Sequence, residues 1–267
     1  MKFLELPDTK TQCPYISGRK FIAENFLFSA PDADQLDYLL SGGFRHFGAY
    51  FFRPVCESCS RCIPLRVIVT DYSPSRSGKR ILSKNSMFRV TVGAPGMSRR
   101  GFVLYKKHQQ RFERKGSESF ERYVESFFSP TFGNTQISVF DVNHLISVLH
   151  LDVTGTSMSA VYCYFDTAYE RRSLGTFTIL KGLELALYMN IRWFYLGYVV
   201  EENNHMSYKV RYRPNEILAP SGWVPYRVLS GEEQNRRCFD EGFPGTAFRA
   251  KHPFRGVFDF SPNVKDG

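Results

Sequence analysis

Three cysteines at intervals of three residues, Cys56, Cys59 and Cys62, constrain the first part of this chain more than any other feature. A fourth, Cys13, stands far upstream in a Cys-Pro-Tyr turn. A tight loop can turn the three thiols toward one point, and the fourth is available in the same lobe. Zinc takes four sulfur ligands at about 2.3 Å, and an iron–sulfur cluster is also held by four thiolates. The competing reading is packing, because a reduced cysteine behaves as a small, readily buried hydrophobe. The cluster names no function by itself.

The chain has 267 residues, 43% of them hydrophobic, with 25 Phe and 15 Tyr, which is enough to bury one large core or two moderate ones. The sequence from Met1 to Asp8 has no long apolar region, and no stretch approaches the roughly 18 apolar residues that span a bilayer. The expectation is a soluble, cytoplasmic protein without a membrane partner. Thiols stay reduced in that compartment, so six cysteines point to metal binding or packing rather than a disulfide framework.

Charge is unevenly spread. Between Arg76 and Lys115 stand twelve basic residues against one acid, Glu113, a local charge of +11 in a chain whose total is +9. A polyanion, above all a nucleic acid, suits such a field. The other reading is a solvated helix face. A membrane surface fits less well, since the run has no wide apolar face to insert.

Periodicity sketches the elements. Pro31 to Leu40 reads as a helix burying Leu36, Leu39 and Leu40 and stopping at Gly42-Gly43. Residues 44 to 53 and Ile63 to Val69 read as strands, the second interrupted by Arg66. Ser73 to Gly78 is turn chemistry. A helix fits Arg99 to Arg114, with Phe102, Tyr105, Gln109 and Phe112 at helical spacing, and Ser117 can cap a second carrying Phe120, Val124 and Phe127. From Gln136 the period becomes strand-like: Ile137 to Phe140, Leu145 to Val153 and Met158 to Phe165. Leu174 to Met189 follows as a helix with Leu180, Leu183 and Leu187 inward, then Trp193 to Val200 as a buried strand. This is an α/β (α+β) arrangement with a crevice at the strand ends. From Ala219 onward the chain reads as irregular packing with at most one strand.

Several blocks, in order, resemble one family. They are Cys13-Pro-Tyr-Ile-Ser-Gly-Arg19, Gly43-Phe-Arg-His-Phe-Gly48, Tyr50-Phe-Phe-Arg-Pro54, the cysteine triplet with Ile63-Pro-Leu-Arg66, and Pro74-Ser-Arg-Ser77. The second half adds Ser159-Ala-Val-Tyr162, Phe165-Asp166, Arg172-Ser-Leu-Gly-Thr176, Tyr195-Leu-Gly-Tyr198, Met206-Ser-Tyr-Lys209 and Arg213-Pro214. From about residue 13 to 216 the chain resembles the bacterial aspartate/glutamate leucyltransferases, relatives of the eukaryotic arginyl-tRNA–protein transferases.

The resemblance implies an acetyltransferase-like (GNAT-like) fold with an N-terminal cysteine-containing lobe. It divides the chain into that lobe (1–90, with the acceptor site), a transferase domain (91–220) and a C-terminal extension (221–267). The implied reaction moves an amino acid from its tRNA to the N-terminus of a protein, marking it for degradation. The partners are then an aminoacyl-tRNA and substrate protein N-termini, and the chemistry needs no cofactor beyond a structural zinc or iron–sulfur centre on Cys13, Cys56, Cys59 and Cys62. No Gly-x-x-x-x-Gly-Lys-Ser/Thr phosphate loop is present.

Within that frame Asp166, Tyr198, Tyr208 and Lys209 are the candidate polar groups at the bond exchange. Arg172, Ser173, Gly175 and Thr176, at a helix start, are candidates for the tRNA terminal phosphates, and Arg99, Arg100, Lys106 and Lys107 for the rest of its backbone. Arg45 and Arg76 are candidates for an acidic acceptor residue. Val199, Asn203 and His205 stand where the family usually has Trp, Cys and Lys, and Arg76-Ser-Gly-Lys-Arg80 replaces the commoner Arg-Ser-Gln-Arg-Arg. These departures, with Glu201 and Glu202 beside the crevice, leave arginine open as donor. Two other classes compete: a non-catalytic RNA-binding protein stapled by zinc, and a transferase using acyl-coenzyme A. The second lacks its expected Gln/Arg-x-x-Gly-x-Gly/Ala turn before the Leu174 helix.

Overall fold

The computed structural model describes residues 3–112, 119–129 and 132–226, which form two sheets. The smaller contains β1 (Phe3–Gln12), β2 (Lys20–Phe28), β3 (Arg45–Phe47) and β4 (Tyr50–Pro54) in the order β1-β2-β4-β3, all antiparallel. Between β2 and β3 runs α1 (Ala33–Ser41). Its start is fixed by a reciprocal capping box between Asp32 and Gln35, so Pro31 precedes the cap rather than lying in the first turn. Leu36, Leu39 and Leu40 are buried, as their spacing predicts, against Phe26, Phe28, Phe44 and Phe51. Residues 44 to 53 form two strands, not one. They are split at Gly48, whose φ is +54° and whose missing Cβ would stand 2.1 Å from the Glu125 carbonyl oxygen; only glycine meets both conditions.

The larger sheet has eight strands: β5 (Ile63–Ile68), β6 (Arg89–Gly93), β7 (Thr135–Asp141), β8 (His144–Val153), β9 (Ser157–Phe165), β10 (Trp193–Val199), β11 (Asn215–Ala219) and β12 (Gly222–Pro225). Their order is β12-β11-β5-β10-β9-β8-β7-β6. Strand β5 precedes residue 90 and β6 spans it, so the larger sheet draws on chain from both sides of that position. Every pairing is antiparallel except β9 with β10, which are joined by α5 (Leu174–Tyr188).

Helices cover both faces. On one, α5 and α2 (Arg76–Lys84) bury Ile179, Leu180 and Leu183 against Leu65, Val67, Leu149 and Phe194. The sequence reads α2 as a turn. It is a helix capped by Ser75, whose hydroxyl accepts from the Gly78 N–H, and its Gly78 is buried facing Leu180 of α5. Leu187 is 38% exposed rather than inward, because it lies in the last turn of α5. On the other face α3 (Arg99–Gln109) and α4 (Phe120–Phe128) pack Leu104, Tyr105, Tyr123 and Phe127 on Val148 and Tyr164. The α4 cap is Ser119; Ser117, residues 113–116 and most of 221–267 lie outside the described residues.

The smaller sheet sits on this second face beside β10. Its core takes in Tyr195 and packs against Trp193 and Trp223. Arg66, the charged interruption in β5, belongs here. Its guanidinium lies 3.7 Å from the Trp193 ring centroid and 4.3 Å from that of Trp223. Its Nε and Nη2 each sit 2.8 Å from Glu216 Oε2. A planar cation between two indoles uses both faces for attraction and its edge for hydrogen bonds. It ties β5, β10, β11 and β12 together.

Candidate active site

Strands β9 and β10 pair only from Ser157↔Trp193 to Ser159↔Tyr195 and then part. Gly197, in β10 just past that point, has φ +80°, and the pairing of β10 with β5 shifts register there. Arg45 of β3 enters the parting. It donates to Ser159 Oγ at 2.9 Å and to the Ala160 carbonyl, and its Nε would lie 3.4 Å from any Cβ at residue 197. One guanidinium thus satisfies β9 groups that a neighbouring strand would otherwise engage. Burial lowers the Arg45 pKa, against the opposing influence of Tyr198, Asp152 and Tyr15.

After β10 the chain turns through the single-turn helix α6 (Asn204–Ser207) and a 3-10 turn, Tyr208–Arg211. This brings Lys209 back onto β10, where its Nζ donates to the Tyr198 carbonyl at 2.6 Å. Burial, and secondarily Arg45, push the Lys209 ammonium down to about 7, while Cys62 opposes the shift. The Tyr198 hydroxyl donates to the Gly43 carbonyl at 2.9 Å, a tie to the N-terminal lobe, and burial raises its pKa well above the usual phenol. Asn203 donates to the Tyr15 carbonyl at 3.0 Å, next to the cysteine turn. Lys209, Tyr198, Arg45 and Cys62 therefore share one neighbourhood, joined by Tyr15.

The other sequence candidates are spread around it. Tyr208 is held protonated by burial beside Cys163, with the Arg111 cation opposing. Asp166 is occupied: it pairs with Lys107 at 2.6 Å and accepts from the Ala168 N–H at 2.8 Å. Arg172 turns away from the α5 start and donates to the Lys84 carbonyl at 2.8 Å, in contact with Met87 and Phe88. Ser173 precedes α5 at φ +54° with no side-chain cap. Gly175 lies against the Phe165 ring and Thr176 beside Tyr212. Arg99, Arg100, Lys106 and Lys107 are exposed on α3. Arg76 is exposed at the start of α2, on the opposite face from Arg45, so the two acceptor candidates are not brought together. Glu202 faces Arg61 at 3.3 Å rather than the crevice. The sequence assigns no site role to Tyr15 or Asn203, which meet here. The Cys-Pro-Tyr turn was the signal for the first.

Cys13, Cys56, Cys59 and Cys62 line one pocket with Phe21 and Pro54, and none is in a disulfide. Burial, then the other three thiols, push the Cys62 thiol well above its ordinary range. The Ile22 N–H lies 3.3 Å from Cys56 Sγ and the Ile16 N–H 3.4 Å from Cys13 Sγ, donors of the kind that support thiolate ligands. Among the described residues, no three His, Cys, Asp or Glu side chains are set to hold a metal ion. The four thiols lining this pocket supply the donor set of a four-thiolate centre.

Comparison with known proteins places both halves. Residues 11–80 match the N terminus, and residues 100–219 the C terminus, of the arginine-tRNA-protein transferase family. An aspartate/glutamate leucyltransferase of Campylobacter jejuni (strain RM1221) is 33% identical over 217 residues, spanning 78% of this chain and 89% of the relative. The enzyme of the same name from Shewanella sp. (strain MR-7) is 36% identical over 218 residues, 79% and 90%. Among solved structures, L-PGS from Bacillus licheniformis resembles 65% of the chain at a TM-score of 0.42 and 10% identity, over 52% of its own length. A fungal GCN5-related glucosamine N-acetyltransferase region resembles 75% at 0.36 and 12%, over 23% of its chain. Matched in both halves, and by relatives over nearly their whole length, the chain is an aminoacyltransferase of the arginine-tRNA-protein transferase family.

Proposed function

We propose that the protein transfers leucine from leucyl-tRNA to the α-amino group of proteins beginning with Asp or Glu. The observation that carries this reading is the buried group of Arg45, Tyr198 and Lys209 at the parting of β9 and β10. The name shared by the relatives supplies the donor and the acceptor. The α-amine attacks the ester carbonyl; the new C–N bond forms, the C–O bond to the ribose breaks, and the amine proton passes to the leaving oxygen. An α-amino group has a pKa near 8, so positioning supplies much of the acceleration. Lys209, held near neutrality, takes the amine proton, and Tyr208 is a protonated donor toward the crevice. Arg45 retains N–H groups beyond those given to Ser159 and Ala160, which suit the acidic acceptor side chain. Arginine as donor finds less support, since Glu202 is engaged by Arg61.

Each labelled aminoacyl-tRNA is incubated with peptides starting with each of the twenty residues. Leucine should move to Asp and Glu peptides. Transfer of arginine instead changes the donor, transfer that ignores acidic termini removes the acceptor assignment, and no transfer at all rejects the reading.

Cys13, Cys56, Cys59 and Cys62 would hold one zinc ion or one iron–sulfur cluster, a closed centre that fixes the lobe and leaves no open position for chemistry. Anaerobic purification with metal analysis and absorption spectroscopy tests this. Less than about one-tenth equivalent of any metal in folded protein returns the four to packing.

A further inference from the structure

The helix α3 ends in a 3-10 turn, Gln110–Phe112, that spans the parting from the β9 side to the segment after β10. On the β9 side Arg111 lies over the Phe165 ring, 4.8 Å from its centroid, and Phe165 in turn abuts Gly175 at the start of α5. On the β10 side the Phe112 ring meets His205 edge-on at 5.1 Å. His108 stands between, 4.6 Å from Phe165 and 5.7 Å from Phe112. The Arg111 charge reaches Tyr208 and Cys163. Arg111 itself is exposed.

We propose that this turn seats the 3′-terminal adenosine of the donor tRNA, its base on Phe112 and His205 and its 5′ phosphate on Arg111. The inference rests on the aminoacyl-tRNA reading and adds residues to it. A tRNA acceptor end is single-stranded, and such ends are held by stacking on aromatic rings and by cations along the backbone. A guanidinium held over the Phe165 ring, on an exposed residue, can still offer N–H groups to a phosphate, which it can grip with two hydrogen bonds. Arg172, the cation expected in this role, is turned onto the Lys84 carbonyl. The ester on the terminal ribose then follows the parting inward, past Tyr208 and toward Lys209.

The test titrates the full chain with a 5′-phosphorylated cytidylyl-cytidylyl-adenosine trinucleotide, with adenosine and with coenzyme A. The proteins are wild type, Arg111→Ala, Arg111→Lys, Phe112→Ala and, as a charge control on β1, Lys10→Ala. Arg111→Ala should weaken the trinucleotide about tenfold and flatten its salt slope by roughly 0.7, with adenosine unchanged. Arg111→Lys should recover part of that loss. Phe112→Ala should weaken trinucleotide and adenosine alike, about tenfold or more. Equal behaviour of Arg111→Ala and Lys10→Ala overturns the proposal, as does equal loss for adenosine and trinucleotide in Arg111→Ala, tighter binding of coenzyme A, or no trinucleotide binding by wild type. If the trinucleotide pattern holds while no charged tRNA donates to any peptide, the reaction reading fails and the nucleotide seat stands.

Discussion

Lys209 Nζ donates to the carbonyl of Tyr198, whose hydroxyl in turn donates to the Gly43 carbonyl, just before β3 of the other sheet. One residue of β10 thus faces the crevice with its backbone and the N-terminal lobe with its side chain. Replacing Lys209 by Met keeps the volume and removes the amine. Transfer should fall at least about a hundredfold in kcat, the scale on which positioned acid–base groups act, with the donor KM little changed. Single-turnover assays with saturating leucyl-tRNA measure it; a variant with wild-type kcat removes Lys209 from the chemistry.

Arg66 should not tolerate lysine. An ammonium cannot lie flat between Trp193 and Trp223 while gripping Glu216 along one edge. Arg66→Lys is expected to lose about 1–3 kcal/mol, and Arg66→Met more, because Glu216 is then left half-buried without its partner. Urea unfolding gives the loss, and earlier protease cleavage after residue 210 would locate it in β11 and β12.

Four cations of α3 should bind tRNA without regard to sequence. Changing Arg99, Arg100, Lys106 and Lys107 to Ala together should weaken many tRNAs alike, each lost phosphate contact flattening the salt slope by roughly 0.7 to 0.9. Lys107 should contribute least, since Asp166 already holds it at 2.6 Å. Unchanged affinity and slope in the quadruple variant exclude this surface.

Acid should destabilise the fold through two histidines. Burial pushes His108 down to about 4, with Arg111 adding to it, and pushes His150 down to about 3. Between those values and the ordinary 6.5 the unfolded chain binds protons that the folded one does not, so stability is complete above pH 6.5 and falls on acidification. The slope approaches about 1.4 kcal/mol per pH unit for each group. His150→Phe, stacked as His150 is on Phe127, should lower the pH slope of stability by about one proton between pH 6 and 4. An identical slope in the variant refutes it.

Much of the fold was legible where burial imposes a period. The β7–β8–β9 meander, α5 and β10 all lie in cores that demand alternating or three-to-four spacing. The strand β1 was invisible because it is an edge strand with most side chains in solvent, so nothing selects an alternation. The helix α2 was hidden by the Ser, Gly and Pro around its cap, residues that read as turn chemistry. In the candidate site, motif resemblance singles out Lys209 and Arg45 but not their proximity, since Arg45 meets residues more than a hundred positions away. Arg172 and Asp166 show the limit of reading position as role. Both stand shortly before α5, and each is engaged by a partner distant in sequence, Lys84 for Arg172 and Lys107 for Asp166.

Arg45 grows from the four-stranded sheet and ends inside the eight-stranded one. The width of the opening between β9 and β10 is therefore set by a spacer rooted in a different layer of the molecule. The sheet cannot zip shut while the spacer stands, so the opening needs no occupant to exist. Nor can the two layers slide past each other without changing its gauge: in mechanical terms, the lobe that carries the thiols is the stop against which the crevice is held open.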